Sequence, residues 1–354
     1  MKNACIAVRG REEPFSEDLE RPLNALLEGG YCADKTFLLA EGDAHEFAQT
    51  VIECKNFFDN VIVAAHDGML PQLRARVAEL LGCEAGAELA AGTKRFFCIP
   101  FGEGGERAMR GEVLPALRER DPSPRSRSFL RTVGAPAELL AAAKRAAEGV
   151  GGVACLSGEL YGDQRLVLSY ASDIAKSAAD EALRAAAEKL EEYTYAIDDT
   201  PLARRVFELL KLRGLKLSVA ESFTGGGVAK RLIEIPGASE VLFESVVAYD
   251  NGSKMKRLGV SAKTLAEQGA VSDETAYEMA AGLLATGGCS TVLSTTGIAG
   301  PASDNTHKPV GLCYIAAGGK DAVYVYKYLF KGSREEITER AVNQALFLLY
   351  RQIK

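Results

Sequence analysis

Apolar and polar positions alternate along residues 1–125 in a way that predicts a largely parallel sheet covered by helices. Short apolar runs typical of strands are separated by longer segments with helical periodicity. Glycine directly after the second helical segment suits a helix C-terminus. The strand-like runs are ACIAVRG, KTFLLAEG, NVIVAA and RFFCIPFG, and the helical segments include EDLERPLNALLEGG and LPQLRARVAELLG.

A charged, proline-containing segment, RERDPSPRSRS, predicts a boundary before a smaller region at 126–199. This region begins with the helical PAELLAAAKRAAEG, continues with strand-like GGVACLSG and QRLVLSY, and ends with the Ala-rich ADEALRAAAEKLEEY. The Ala-rich segment has high intrinsic helix propensity. We therefore predict a small α+β module.

Residues 200–354 return to alternating strands and helices, which predicts a second α/β domain. Thr200 is a predicted N-cap with Pro201 at the first helical position. Ser272 is a second predicted N-cap, and Ser333 begins the final helix with an S-x-x-E capping box. The predicted strands are LKLSVAES, SVVAYDN, STVLSTTG, VGLCYIAAGG and AVYVYKYLF.

Length and composition indicate a soluble protein of two or three domains. The chain has 354 residues, of which 47% are hydrophobic and 25% charged, and it contains no long uncharged apolar run. The first residues, MKNACIAVRGREEPF, lack a secretory signal pattern. We therefore expect a cytoplasmic location and no membrane association.

Cysteine, histidine and charge usage exclude several classes of site. None of the eight cysteines forms a CxxC pair, which favours buried free thiols. The three histidines are far apart in sequence, which argues against a His-based metal site or a Ser-His-Asp triad. From Pro201 onward there are 19 Lys and Arg against 15 Asp and Glu, enough to attract a small anion. No dense basic stripe predicts nucleic-acid binding.

The segment ESFTGGG joins a predicted strand to a predicted helix and is a candidate anion site. Free N–H groups at a helix start point outward, and glycines allow a phosphate oxygen to approach the backbone. A glycine-rich turn without ligand is the alternative. Glu221 is either a cap partner or a contact for a ribose hydroxyl. The candidate substrate-binding residues are Glu221, Ser222, Thr224, Gly225 and Gly226.

Ser239, Tyr249 and Lys254 form a candidate catalytic group. Ser239 in PGAS is either an N-cap or a nucleophile. Lys254 would be its base if burial or positive neighbours lower the lysine pKa, and Tyr249 would relay the proton. This arrangement requires the intervening strand to return the chain to the same end of the sheet.

Two later segments add candidates. TTGIAGP offers Thr296, with Gly297, at a strand end where backbone N–H groups would form an oxyanion hole. HKPVG offers Lys308 and Gly311. Arg334 lies at a predicted helix start, where a cation is unfavourable, so it is either compensated by an anion or simply exposed to solvent.

Taken in order, VAESFTGG, PGAS, VVAYDNGSK, LGV, GAVSDE, TGIAGP and KPVG resemble the C-terminal domain of the competence/damage-inducible CinA family over 200–354. The resemblance implies deamidation of nicotinamide mononucleotide, with Ser239 as nucleophile, Tyr249 and Lys254 as activators, Thr296 as an active-site hydroxyl and Arg334 as a cation that binds substrate or assists catalysis. The sequence departs from the family at Phe223, at NGSK and in the loop ASDNTHK.

The rest of the chain resembles full-length CinA proteins less closely. Residues 126–199 resemble their KH-like linker, and 1–125 occupy the place of a molybdopterin-binding-like domain that in some members cleaves ADP-ribose. In this chain AAHDGMLPQ, with His66 and Asp67, replaces the glycine-rich acidic loop. We therefore expect this first domain to be catalytically silent.

The sequence thus predicts an amidohydrolase that converts nicotinamide mononucleotide to nicotinate mononucleotide and ammonia without metal or cofactor, as a homo-oligomer, most simply a dimer. Two alternatives remain open. One is an ADP-ribose-type pyrophosphatase in the first domain, and the other is a non-catalytic nucleotide-binding scaffold.

Overall fold

The computed structural model describes residues 1–10, 19–85, 89–121, 125–171, 173–301 and 307–354. These residues form an α/β protein with three sheets. The chain divides into two compact units, one of Met1–Arg127 with Tyr170–Ile174 and the other of Ser128–Ser169 with Ala175–Lys354. The predicted α/β class is confirmed, whereas the three-domain division stays a prediction. Among the described residues, no helix has the length and apolarity needed to cross a bilayer.

The first unit is built on a five-stranded sheet of order β2-β1-β3-β5-β4, parallel except for β4. All four predicted strands are present, and Gly82 ends a helix in the left-handed conformation, as predicted. The strands are β1 Asn3–Arg9, β2 Lys35–Ala40, β3 Asn60–Ala65, β4 Leu89–Ala91 and β5 Lys94–Pro100. The helices are α1 Glu20–Glu28, α2 Ala44–Phe57, α3 Leu70–Leu81, α4 Gly102–Ala108 and α5 Leu114–Arg120, with a π-helical turn, Met109–Val113, between the last two.

A four-stranded sheet of order β7-β8-β6-β9 follows. Its two helices and two of its strands were predicted. The other two strands were not, because one begins inside the charged segment predicted as a boundary and the other has only three residues. The elements are β6 Arg125–Val133, α6 Ala137–Glu148, β7 Val153–Leu160, β8 Asp163–Ala171, α7 Lys176–Lys189 and β9 Thr194–Ala196.

The third sheet has the order β11-β10-β12-β13-β14, with β10, β11 and β12 parallel and the last two strands antiparallel. The predicted strands are all present. The strands are β10 Leu217–Glu221, β11 Leu242–Val247, β12 Thr291–Gly297, β13 Leu312–Gly319 and β14 Val323–Leu329. The helices are α8 Leu202–Leu212, α9 Gly227–Ile233, α10 Asn251–Leu258, α11 Ala262–Glu267, α12 Asp273–Ala285 and α13 Arg334–Ile353.

The predicted helix caps are confirmed at two of three places. Ser272 accepts a hydrogen bond from Thr275 N–H, and Ser333 forms the capping box of α13. The Thr200 cap is wrong, since Pro201 occupies the N-cap position and the helix begins at the next residue. The Asp198 carboxylate accepts from Thr200 N–H at 2.9 Å and so holds the chain in a turn before the helix.

The strand order positions a site at one edge of the third sheet. From β10 the chain passes to β11 on one side, and it then crosses to β12 on the other side. In open α/β sheets such a reversal leaves a crevice outside the carboxyl ends of the two central strands. The ends of β10 and β12 are therefore where a ligand pocket is expected.

Candidate active site

A pocket of about 310 Å³ opens at the carboxyl ends of β10 and β12. This volume lies at the lower end of the range usual for small-molecule sites. Its walls also include residues from α10 and the start of α13. Six of the predicted site residues line it: Ser222, Tyr249, Lys254, Thr296, Gly297 and Arg334.

Ser222 and Lys254 meet inside this pocket. The Lys254 ammonium donates to Ser222 Oγ at 3.0 Å, and also to the carbonyl oxygens of Ala248 at 3.0 Å and Tyr249 at 3.1 Å. Only 1% of the lysine is exposed. Burial lowers the pKa of Lys254, and the nearby Asp250 carboxylate only partly opposes this. A buried lysine with a depressed pKa is a potential general base, and the serine hydroxyl beside it is a potential nucleophile.

Helix α10 is what delivers Lys254 to Ser222. Asp250 caps this helix by accepting from Gly252 N–H at 2.7 Å. The cap lies just beyond β11, so the first turn of the helix stands at the carboxyl edge of the sheet. Ser222 reaches the same edge because it directly follows the parallel strand β10.

Ser239 lies at the opposite edge of the sheet. It belongs to a single 3₁₀ turn, Ala238–Glu240, that precedes β11, and its carbonyl oxygen accepts from Lys216 Nζ at 3.0 Å just before β10 begins. The six residues of β11 then carry the chain away, over about 20 Å at the usual rise per residue. The predicted pairing of Ser239 with Lys254 is therefore wrong. Strand β11 carries the chain from one end of the sheet to the other and does not return it to the same end.

The three glycines of the turn and the next two residues of α9 offer no free amides to a ligand. The buried Glu221 carboxylate accepts from the N–H groups of Gly226, Val228 and Ala229 at 3.0–3.1 Å. These are the groups expected to bind phosphate. The Glu221 cap alternative is thus confirmed, and Glu221, Gly225 and Gly226 do not line the pocket. The ribose contact stays a prediction.

The same carboxylate also holds side chains around the turn. Thr224 Oγ1 donates to Glu221 Oε2 at 2.8 Å and lies 2.6 Å from Thr295 Oγ1. Ser245 Oγ donates to Glu221 Oε1 at 3.3 Å. Thr224 therefore supports the turn from within the protein, and it does not line the pocket.

Thr296, Tyr249 and Arg334 surround the Ser222–Lys254 pair. Thr296 is buried and donates to the carbonyl oxygen of Ala270 at 2.5 Å. Arg334 donates to the Tyr249 hydroxyl at 2.9 Å and to the carbonyl oxygen of Gly300 at 2.6 Å. Lys254 bonds the carbonyl oxygen of Tyr249, not its hydroxyl, so the predicted relay through the hydroxyl stays a prediction. These two contacts occupy two of the five N–H groups of the guanidinium.

Lys308 and Gly311 have structural positions outside the pocket lining. Lys308 Nζ donates to the carbonyl oxygens of Gln268 and Val271, which ties down the segment that forms one pocket wall. Gly311 has φ +90, and a Cβ there would collide with the carbonyl oxygen of Phe330. Their predicted contacts with substrate stay predictions. Residues 302–306, which belong to the loop ASDNTHK that differs from the family, lie outside the described residues.

The sequence predicted Ser222 as a substrate-binding residue but not its contact with Lys254, and Asn251 in the pocket lining was not predicted. A serine at the end of a buried parallel strand, followed by a tight turn and a helix, is the arrangement of a nucleophile elbow, and that signal was available. Asn251 had no such signal because α10 was not predicted. In the part of the chain that the structure describes, no three His, Cys, Asp or Glu side chains are grouped to hold a metal ion.

Comparison with known proteins covers the part of the chain that builds this pocket. Residues 199–353 match the family model of the CinA C-terminal domain. A putative competence-damage inducible protein of Caldicellulosiruptor saccharolyticus is 45% identical over 164 residues, and a CinA-like protein of Kosmotoga olearia is 43% identical over 166. These matches cover 46% and 47% of this chain, and the chain spans about 40% of the length of either relative.

Solved structures give the same coverage. The competence/damage inducible protein CihA of Agrobacterium tumefaciens is 39% identical, with a TM-score of 0.41, and the match covers 43% of this chain and 94% of that one. A CinA superfamily protein of Klebsiella pneumoniae is 31% identical, with a TM-score of 0.42 and coverage of 42% and 94%. On the family model and the named relatives, residues 199–353 of this chain are similar to the CinA C-terminal domain.

Proposed function

We propose that the C-terminal domain hydrolyses the carboxamide of nicotinamide mononucleotide, giving nicotinate mononucleotide and ammonia. The observation that carries the proposal is the 3.0 Å contact between Lys254 Nζ and Ser222 Oγ inside a small-molecule pocket. Similarity to the CinA C-terminal domain supports the choice of substrate. Ser222 takes the nucleophilic role that the sequence suggested for Ser239.

In the first step, Ser222 Oγ attacks the carboxamide carbon while neutral Lys254 accepts the hydroxyl proton. The carbonyls of Ala248 and Tyr249 accept two of the lysine hydrogens and so direct the remaining lone pair at Ser222. The tetrahedral adduct collapses with cleavage of the C–N bond, and Lys254 delivers its proton to the departing ammonia. An ester on Ser222 remains.

In the second step, a water molecule attacks this ester, with Lys254 again accepting a proton and then returning it to Ser222. The product is the carboxylate. The negative oxygen in both steps needs N–H donors. Among the described residues, the amides of Phe223, Ala299 and Gly300 have no hydrogen-bond partner, and all three residues line the pocket. We assign them to the oxyanion.

Arg334 is the proposed anchor for the phosphate. It is an arginine in the pocket lining, and two of its N–H groups are held by Tyr249 and Gly300, which fixes the orientation of the remaining three. Arginine is well suited to bidentate binding of phosphate. Because the Glu221 carboxylate fills the glycine-rich turn, the phosphate has no second backbone site there.

The same proposal extends to the remainder of the chain. We propose that 1–125 form a catalytically silent molybdopterin-binding-like domain, that 126–199 form a KH-like linker, and that the protein acts as a cytoplasmic homodimer. The first sheet, of order β2-β1-β3-β5-β4, supports an open α/β domain of this kind. His66 and Asp67 directly follow β3, at the expected strand end.

The test is ammonia release from nicotinamide mononucleotide by the full chain, with and without a chelator. We expect release in both cases. Ser222→Ala should reduce turnover by several orders of magnitude, as loss of a nucleophile does. Ser239→Ala is the matched control and should retain the wild-type rate. Release that depends on Ser239 and survives Ser222→Ala would disprove the assignment.

The two rival functions predict other outcomes, one with a second substrate and one in the same assay. A pyrophosphatase in the first domain would release phosphate-containing products from ADP-ribose only with a divalent metal. A nucleotide-binding scaffold would bind the mononucleotide and release no ammonia. No observation of the described residues favours either rival over the amidohydrolase.

A further inference from the structure

The buried carboxylate of Glu221 has a local environment that the proposed mechanism does not use. It is fully buried and lies directly before Ser222 in the chain. Within the described residues it has no ion-pair partner, yet it accepts five hydrogen bonds. A buried charge is costly unless it is well hydrogen-bonded, so this degree of satisfaction indicates a specific role.

The distribution of these bonds over the two oxygens is informative. Oε2 accepts from Thr224 Oγ1 and from the N–H groups of Gly226 and Val228, and Oε1 accepts from Ala229 N–H and Ser245 Oγ. Each oxygen therefore receives at least one backbone N–H. A carboxylate can accept N–H groups at both of its oxygens, whereas an amide side chain can accept them only at its single oxygen.

The bonds enclose the turn that carries Ser222. They join the end of β10 to the first residues of α9, and the turn between them holds Ser222, Phe223 and Thr224. Gly225 N–H donates to Ser222 O at 3.1 Å, and Ser222 N–H donates to Thr295 O at 3.0 Å. The backbone of Ser222 is thus fixed from both sides.

We propose that Glu221 is a positioning residue that holds Ser222 Oγ in register with Lys254 Nζ, by serving as a built-in anion at the start of α9. This inference rests on the proposed role of Ser222. Glu221 itself does not touch the pocket. Its negative charge is required, because the neutral amide of glutamine would direct an N–H group at a backbone N–H group whichever way it is turned.

The experiment measures Ser222 reactivity directly, without relying on turnover. Phenylmethylsulfonyl fluoride sulfonylates an activated serine hydroxyl with loss of fluoride and a proton, and peptide mapping by mass spectrometry locates the product. We expect wild-type labelling at Ser222, with a rate that rises with pH as Lys254 loses its proton. Ser222→Ala should lose this labelled peptide.

Glu221→Gln should label about 10- to 100-fold more slowly, the range expected for a catalytic group displaced by about 1 Å. Its rate should also lose the Lys254-dependent rise with pH, which a purely structural defect would not remove. Ser261→Ala is the matched control, because it removes the N-cap of α11 and contacts neither Ser222 nor Lys254. It should keep the wild-type labelling rate and pH profile.

A second pair of variants tests the same proposal in case Glu221→Gln does not fold. Thr224→Val removes one donor to Glu221, and Thr224→Ser keeps it. We expect slower labelling for valine and near wild-type labelling for serine. Equal labelling of both Thr224 variants, or of wild type and a folded Glu221→Gln, would overturn the proposal.

The outcomes separate this inference from the proposed function. Labelling that depends on Glu221, together with no ammonia release from nicotinamide mononucleotide, would support the positioning role and reject the substrate. Absence of Ser222 labelling in the wild type would reject both.

Discussion

Replacement of Lys254 provides the strongest test of the proposed chemistry. Lys254→Arg keeps a positive charge but cannot accept a proton at any working pH, because arginine stays protonated. Lys254→Met removes both the charge and the proton acceptor. General acid–base catalysis contributes about 10²- to 10⁴-fold, so both variants should lose at least that much turnover. Lys256→Met, on the exposed side of the same helix, is the matched control and should stay active.

The burial of Lys254 determines the direction in which kcat/KM changes with pH. Its pKa is lowered, and only the neutral amine accepts the Ser222 proton. The value of kcat/KM should therefore rise about tenfold per pH unit below that pKa, and level off before pH reaches about 10.4, the ordinary lysine value. The control Lys256→Met should show the same rise of kcat/KM with pH as the wild type.

The free energy of unfolding should also depend on the protonation of Lys254. Between the lowered pKa of the folded state and the ordinary pKa of the unfolded chain, the unfolded state binds more protons, so the free energy of unfolding rises with pH. Below both values the full cost of the buried ammonium is present. Lys254→Met removes this rise, and it leaves two carbonyls without a donor at a cost of about 1–3 kcal/mol each.

The assay is steady-state ammonia release from nicotinamide mononucleotide between about pH 6 and 10, with thermal unfolding measured in the same buffers. The reasoning is refuted if Lys254→Arg keeps more than about a tenth of the wild-type rate with an unchanged pH profile. Lys254 would then anchor an anion, and another group would be the base.

Three further substitutions test the surroundings of the pair. Arg334→Gln should raise KM for nicotinamide mononucleotide more than for nicotinamide riboside, by about tenfold or more for a lost charged hydrogen bond; an equal change for both would remove the phosphate from Arg334. Tyr249→Phe should raise the same KM by only a few-fold, because it loses one contact to Arg334; a loss of kcat as large as that of Lys254→Met would restore a proton-relay role. Gly311→Ala should lower the free energy of unfolding by more than about 3 kcal/mol, because its Cβ collides with the backbone of Phe330 at a positive φ; unchanged thermal unfolding would show that the backbone relaxes freely.

Strands and long helices were accessible to sequence reasoning because apolar periodicity determines them locally. The five strands of the third sheet and the caps at Ser272 and Ser333 followed from such patterns. Helix α10 did not, because NGSKMKRL is short and mostly polar, and its two buried residues are Lys254 and Leu258. A buried lysine reads as a surface residue in any hydrophobic pattern.

The errors at the site have a common physical origin. The sequence distance from Ser239 to Lys254 is short, but an intervening strand separates them across the sheet. The distance from Ser222 to Lys254 is 32 residues, and two parallel strands bring both to one edge. Likewise, nothing local distinguishes a helix start open to phosphate from one already filled by the preceding glutamate. Both questions depend on which strands are neighbours, and on which partner satisfies each buried polar group.

The proposed nucleophile and base come from one continuous stretch of chain, from β10 to α10, whereas the far walls of the pocket come from the end of β12 and the start of α13. In the proposed mechanism, the serine and its lysine are therefore encoded apart from Arg334, the proposed phosphate anchor. Substitutions at Arg334 can then change which amide is bound without altering Ser222 or Lys254. A protein with this fold can thus acquire a new substrate through changes at the start of α13 while Ser222 and Lys254 stay the same.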